Sequence, residues 1–226
     1  PYRRQRQMCI RDSYHVNHLL GFFSAFNPDA IKNTRFYKGS FPAEYGGRLS
    51  SVVDVRMNDG NRQENHGNIS VGLLSARANL EGPIVKDRSS FNISVRRTWL
   101  DLITGTALAI VNKNSDTKES FGYHFFDINA KVNHSFSERS RAYLSFYMGQ
   151  DAFRQGSKEK HEDSDDMFLW RWGNLIGSAG WNYVFGQKLL GNLMVGYSRF
   201  RSHIRQEAKG YEIEGNRDCL LYTSPS

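Results

Sequence analysis

Cysteine is nearly missing from this chain: two in 226 residues, Cys9 and Cys219, each close to one end. No disulfide framework, C-x-x-C metal site or thiol nucleophile can be built on that pair. Long apolar runs are missing as well. Leu102–Val111 and Leu19–Phe26 are the longest near-apolar stretches, and both fall short of the ~18 residues that a membrane-crossing helix needs. A helical membrane protein is excluded, but a membrane β-barrel is not, because its strands are only half apolar. Catalytic signatures are absent too. No P-loop, H-E-x-x-H or nucleophile elbow occurs, and Ser, His and Asp are scattered rather than grouped. The chain is therefore expected not to be an enzyme and to need no cofactor. His15 and His18 have a metal-compatible spacing, yet no carboxylate or thiol lies near them. The acidic run Ser157–Asp166 lacks the glycine and spacing of an EF-hand loop and reads as a solvated loop. No metal site is expected.

The two ends are foreign in pattern. Arg3–Ser13 (RRQRQMCIRDS) and Arg217–Ser226 (RDCLLYTSPS) follow neither strand nor helix periodicity and resemble translated sequencing-adapter sequence. Residues 1–13 and 217–226 are set aside as non-native, which leaves the remainder without cysteine. The charge falls as well. Residues 1–13 carry four arginines against one aspartate and residues 217–226 one charge of each sign, so the formal +7 becomes +4 over residues 14–216. That balance does not call for nucleic acid, and the aromatics sit mostly on apolar positions without interleaved Lys or Arg. No nucleic-acid partner is expected.

What the chain does have is alternation. From about Gln63, apolar and polar residues exchange with a period of two, the signature of half-buried strands. His66–Leu80 carries Ile69, Val71 and Leu73 on one parity, then changes phase to Leu74, Ala76, Ala78 and Leu80, as a β-bulge would make it do. In Ser90–Leu100, Phe91, Ile93, Val95 and Trp99 alternate with Ser90, Asn92, Ser94, Arg96 and Thr98. Phe126–Phe136 sets Phe126, Ile128, Ala130 and Val132 against Asp127, Asn129, Lys131 and Asn133. Similar segments begin at Ala142, Leu175 and Leu189. Short connections (81–89, 137–140, 186–188) exchange with long polar ones (about 101–122, 150–168 and 202 onward). That asymmetry suits an outer-membrane barrel, with short turns on one side and long loops on the other. On this reading the Asp, Asn and Lys parity faces a hydrated lumen, the apolar parity faces lipid, and aromatics such as Trp99, Trp172 and Trp181 gather near segment ends. A soluble antiparallel sheet with one wet face gives the same alternation.

Residues 14–62 behave differently. Asn27–Ile31 (NPDAI) reads as a helix start, Asn27 capping and Pro28 in the first helical position. Residues 35–39 (RFYKG) read as a short strand. Phe41–Gly60 (FPAEYGGRLSSVVDVRMNDG) then places a proline and a Gly-Gly pair before a short alternation. Pro42 fixes the turn into the motif, and Gly46 and Gly47 permit a close backbone approach. A boundary is expected near Asn58–Gln63.

Asn27–Asn61, with the segments that follow it, resembles a TonB-dependent outer-membrane receptor of the kind abundant in Bacteroidetes. Residues 14–62 resemble the C-terminal part of that family's plug domain, and residues 63–216 its first barrel strands. The resemblance implies a mainly β chain: a partial antiparallel transmembrane β-barrel of about six strands preceded by the C-terminal α/β part of the plug. In the family a 22-stranded barrel is closed by the plug, so six strands would leave open edges and could not transport by themselves. It implies a bacterial outer-membrane location and energy-coupled uptake of an extracellular nutrient: siderophore, glycan, peptide or similar. The partners implied are the TonB–ExbB–ExbD complex, acting through a TonB box that is not in this stretch, outer-membrane lipid, and the extracellular nutrient ligand, alone or with a surface lipoprotein. Phe41, Pro42, Tyr45, Gly46, Gly47, Arg48 and Ser50 would form the plug-exit motif, and Arg48 would pair with a lumen carboxylate such as Asp127. The competing expectation is a soluble antiparallel β-rich module whose aromatics line a carbohydrate groove.

Overall fold

The computed structural model describes residues 17–18, 23–24, 27–38, 51–115, 117–159, 165–186, 189–208 and 211–223. Two short pieces, β1 (Asn17–His18) and β2 (Phe23–Ser24), pair with each other. Asn27 then caps a single 3-10 turn, Pro28–Ala30, its side-chain oxygen accepting from the Asp29 backbone N–H at 3.2 Å. The cap is as expected, but no α-helix grows from it. Ile31 turns extended instead, and β3 (Ile31–Lys38) pairs antiparallel with β4 (Ser51–Met57). Strand pairing here outweighs the local helix signal.

Eight further strands form one antiparallel meander in chain order: β5 (His66–Val71), β6 (Ser75–Val85), β7 (Ser89–Thr98), β8 (Thr117–Ser137), β9 (Ser140–Glu159), β10 (Asp165–Val184), β11 (Leu190–Ala208) and β12 (Tyr211–Thr223). The sheet is not closed; β5 and β12 are its ends. Eight strands replace the expected six for two reasons. The phase change near Leu73 is a tight hairpin rather than a bulge, closed by the Gly72 N–H donating to the Ser75 carbonyl at 2.8 Å. The stretch after 202 is strand, β11 continuing to Ala208 and β12 including Arg217–Thr223. A register shift does occur, but between Pro83 and Val85, where proline interrupts the ladder.

The expected long loops are also mostly ordered. β9 runs to Glu159 and β10 begins at Asp165, so most of 150–168 is a strand ribbon. Residues 100–114 hold helix α1 (Leu100–Val111) and a 3-10 turn. The helix lies where β7 has ended and the edge of β8 would otherwise be bare. Thr104 donates to the Phe121 carbonyl at 2.9 Å, and the Asn112 amide bonds both the carbonyl (2.6 Å) and the N–H (3.1 Å) of Glu119. Covering an edge in this way satisfies backbone groups that a partner strand would have taken.

The burial is inverted relative to an ordinary soluble sheet. On β7 and β8 the polar parity is the covered one: Asn92, Ser94 and Asp127 are 0% exposed. The apolar parity is open, with Ile69 at 79% and Leu144 at 61%. Large aliphatic side chains normally go the other way. At the short-turn end the open face finishes in rings, Phe136, Trp181, Tyr183 and Phe185; Tyr183 and Phe185 lie 4.6 Å apart, and Trp181 donates to Ser140 at 2.9 Å.

Candidate functional site

The covered face of the sheet is layered along the strands, because antiparallel register brings one residue from each strand into a common row. Nearest the short turns, the chain leaving β4 is clamped to β7 and β8. Asn58, Asp59 and Gly60 form the clamp. The Asp59 carboxylate binds Lys131 at 2.7 Å and Lys32 at 3.0 Å, while its backbone carbonyl accepts from Ser90 (2.6 Å) and Asn133 (2.9 Å). Lys131 also donates to the Met57 carbonyl at 3.1 Å. Asn58 donates to Glu81 at 3.0 Å, and Asn92 donates to the same oxygen at 3.3 Å. Higher up, Asn27 bonds Ser94, and Asp29 pairs with Arg77 at 3.1 Å. Residues 27–30 and 58–60 therefore rest on the polar face and explain why that face is buried.

Gly60 is required for the approach. Its φ is +79°, and a Cβ there would meet the Phe91 carbonyl oxygen at 2.2 Å. Burial raises the pKa of the Asp59 carboxyl, but hydrogen bonds and charge from Lys131 and Lys32 more than offset this and hold it below its ordinary value. A carboxylate with a lowered folded pKa stabilises fully above its unfolded pKa, ~3.9, and loses that contribution as pH falls through the folded value. Asp59→Asn is therefore expected to lower the denaturation midpoint at pH 7, with the two proteins converging below about pH 4. Parallel curves throughout would mean that the Asp59 charge does not hold the clamp.

Above the clamp lies a buried ion pair. Arg96 Nε and Nη2 both reach Asp127 Oδ2 at 2.7 Å, with the guanidinium 4.8 Å over the Phe125 ring and Asn129 donating to the other oxygen at 3.3 Å. Next comes an aromatic layer. Tyr123, Phe125, Trp172 and Phe200 are buried together, with Leu100, Phe153 and Trp170 against them. The Trp170 and Trp172 rings lie 4.2 Å apart, tilted 42° to each other, and Trp170 donates to Ser202 at 3.0 Å. Beyond the rings, at the rim, Glu119, Phe121, Gln155, Asp166, Phe168 and Gln206 line an open groove of about 400 Å³. Among the described residues no group of His, Cys, Asp and Glu is placed to hold a metal ion. The arrangement can bind and position a ligand; at the short-turn end, apart from the aromatic layer, Ser89 Oγ lies 2.7 Å from His134 Nδ1.

Phe41, Pro42, Tyr45, Gly46, Gly47, Arg48 and Ser50 lie outside the described residues. Asp127 is on the inner face, as the alternation implies, and its described charge partner is Arg96. The boundary near Asn58–Gln63 falls at the clamp itself. Sequence reading did not single out Asp59, Gly60, Lys131 or Arg77. The Asn-Asp-Gly run was its available signal, since such a run marks a left-handed turn, but the contacts it makes span 72 residues. Comparison with protein-family models, with curated proteins and with solved structures finds no match.

Proposed function

We propose that this chain is the plug-to-barrel junction and the first wall strands of a TonB-dependent outer-membrane receptor, which imports a nutrient with energy relayed by the TonB–ExbB–ExbD complex. The observation that carries the reading is the inverted sheet: the polar part of one face, on β6–β8, is covered by residues 27–30 and 58–60, and the opposite apolar face is open. A soluble sheet of the same alternation would bury Ile93 and Leu144 and wet Asn92. A bilayer reverses that preference, since hydrocarbon is the solvent for the outer face and the lumen is polar. In this reading the nutrient enters from the end of α1 and the rim groove and meets the aromatic layer. The segment resting on the polar face must then shift for passage, while the Asp59 clamp holds the point where plug passes into wall. No bond is made or broken in the ligand.

Cell fractionation tests the location: recovery in the soluble periplasm would refute it. A paired substitution tests the orientation of the sheet. Leu144→Arg, on the outer face midway along the apolar band, is expected to destabilise the membrane-inserted protein by ~2–4 kcal/mol. Ser198→Arg, on the inner parity, is expected to cost less than about 1 kcal/mol, as lumen positions tolerate charge. Equal costs for the two would remove the support that the inverted burial gives.

A further inference from the structure

The rim groove offers a charge opposite to that of the chain as a whole. Strands β8, β9 and β10 build it in two rows. Register sets Glu119, Ser157 and Asp166 side by side, and the row beneath holds Phe121, Gln155 and Phe168. Adjacent strands lie about 4.8 Å apart, so the backbones that carry the two carboxylates are separated by about 10 Å, with the ring-bearing row about 7 Å below. Phe153, from the next row down, meets Phe121 at 5.5 Å and Phe168 at 6.0 Å, both edge-on. The floor is therefore aromatic across its width, under a space of about 400 Å³. Asn112, just past α1, fixes Glu119 through the backbone, accepting from its N–H and donating to its carbonyl. The carboxylates of Glu119 and Asp166 take no ion pair among the described residues. No described Lys, Arg or His lines the groove. Lys118 and Lys158 stand opposite each other one position along, which puts them on the outer parity.

The chain is basic overall, formally +7, so an acidic groove without a described counter-charge runs against its average. Carboxylates above an aromatic floor favour a positive ligand in two ways. They accept charge-assisted hydrogen bonds from it, and the ring faces attract a cation through their quadrupole. An anion is repelled by both carboxylates, and a neutral sugar uses them only as hydrogen-bond acceptors. We propose that the rim groove binds an organic cation: an ammonium or guanidinium group on an alkyl or aryl stem, the stem over Phe121 and Phe168 and the charge between Glu119 and Asp166. That such a ligand then passes inward for import rests on the receptor reading. The preference for a cation rests on the groove alone.

Equilibrium dialysis tests this with the full chain in octyl-tetraoxyethylene micelles, which carry neither charge nor sugar. The probes are labelled spermidine, maltotriose and citrate. Spermidine is expected to bind, more weakly as salt rises, and to be held more tightly than either of the others. Glu119→Gln with Asp166→Asn should weaken spermidine about tenfold. Phe168→Leu keeps the floor apolar but removes a ring, and should weaken it about threefold. Glu138→Gln removes the same charge between β8 and β9 at the short-turn end and should leave binding unchanged, which separates a site from net charge. Absence of spermidine binding, an undiminished double variant, or an equal loss in Glu138→Gln and Glu119→Gln overturns the cation site. Maltotriose or citrate held as tightly as spermidine also overturns it. None of these outcomes touches the receptor reading, which stands on the inverted sheet. Recovery of the protein from the soluble periplasm refutes that reading and leaves the cation site to be decided by the same dialysis.

Discussion

Replacing Gly60 by alanine is expected to lift the segment that leaves β4 off the sheet while the meander itself stays paired. Alanine at φ +79° costs about 1–2 kcal/mol in backbone conformation alone. The larger effect is steric. The new Cβ would sit 2.2 Å from the Phe91 oxygen and 2.7 Å from its carbonyl carbon, and both belong to the backbone of a central strand. β7 is fixed on both sides by β6 and β8, so Asn58–Gly60 must yield instead. That movement breaks the bonds to Asp59 from Ser90, Asn133 and Lys131, each worth ~1 kcal/mol net. The expected loss is about 4 kcal/mol, seen as faster amide exchange in β3, β4 and residues 58–61 with β8–β10 unchanged. Gly105 is the control. It lies in α1 with nothing within 4 Å of its would-be Cβ, so Gly105→Ala should stabilise by up to ~1 kcal/mol through helix propensity. Protection of β3 and β4 unaltered by Gly60→Ala would mean that the close approach does not hold the segment in place.

Much of the sheet is legible in the sequence because a period of two reports faces directly. Asn92 and Ile93, or Asp127 and Ile128, are assigned to opposite sides by counting alone. Which side is covered is not in the count. It depends on residues 27–30 and 58–60 lying across the polar face, and the contacts responsible join positions separated by 23 to 74 residues, such as Asn58 with Glu81 and Asp59 with Asn133. The phase change at Leu73 was legible as an event but not as a hairpin, since a bulge and a tight turn flip parity alike. Beyond Gln150 the strands continue with polar residues on both faces, for instance Arg154 outside and Gln155 inside, so no hydrophobic period marks them as strand. α1 was visible only as a short near-apolar stretch. Gly105 and its β-branched neighbours weaken the helical propensity that would have distinguished it from a loop. Arg96 was placed on the correct parity, but its pairing with Asp127 follows from the β7–β8 register, which no local pattern supplies.

That pair carries the second large effect. Arg96→Met is expected to destabilise the protein by about 3–5 kcal/mol, because Asp127 is fully buried and would lose the guanidinium that reaches it through two nitrogens. Asp127→Leu should cost a similar amount by leaving the arginine charge among Phe125 and its neighbours. Arg96→Lys keeps the charge but loses the second N–H and the flat contact with the ring, so an intermediate cost is expected. The double variant is the informative one. Desolvating two ions offsets most of what their attraction returns, so an apolar pair of similar volume should recover much of the loss, leaving a coupling of at least ~1 kcal/mol in the double-mutant cycle. Denaturation midpoints of the four proteins in the same detergent measure it. Strong coupling means that the two charges answer chiefly to each other, and that the layer between the aromatic rings and the Asp59 clamp is a closed unit. Additive costs would mean that each charge is also held by other groups on the inner face. The ion pair would then be one strand of a wider polar network, through which movement of the covering segment reaches the aromatic wall.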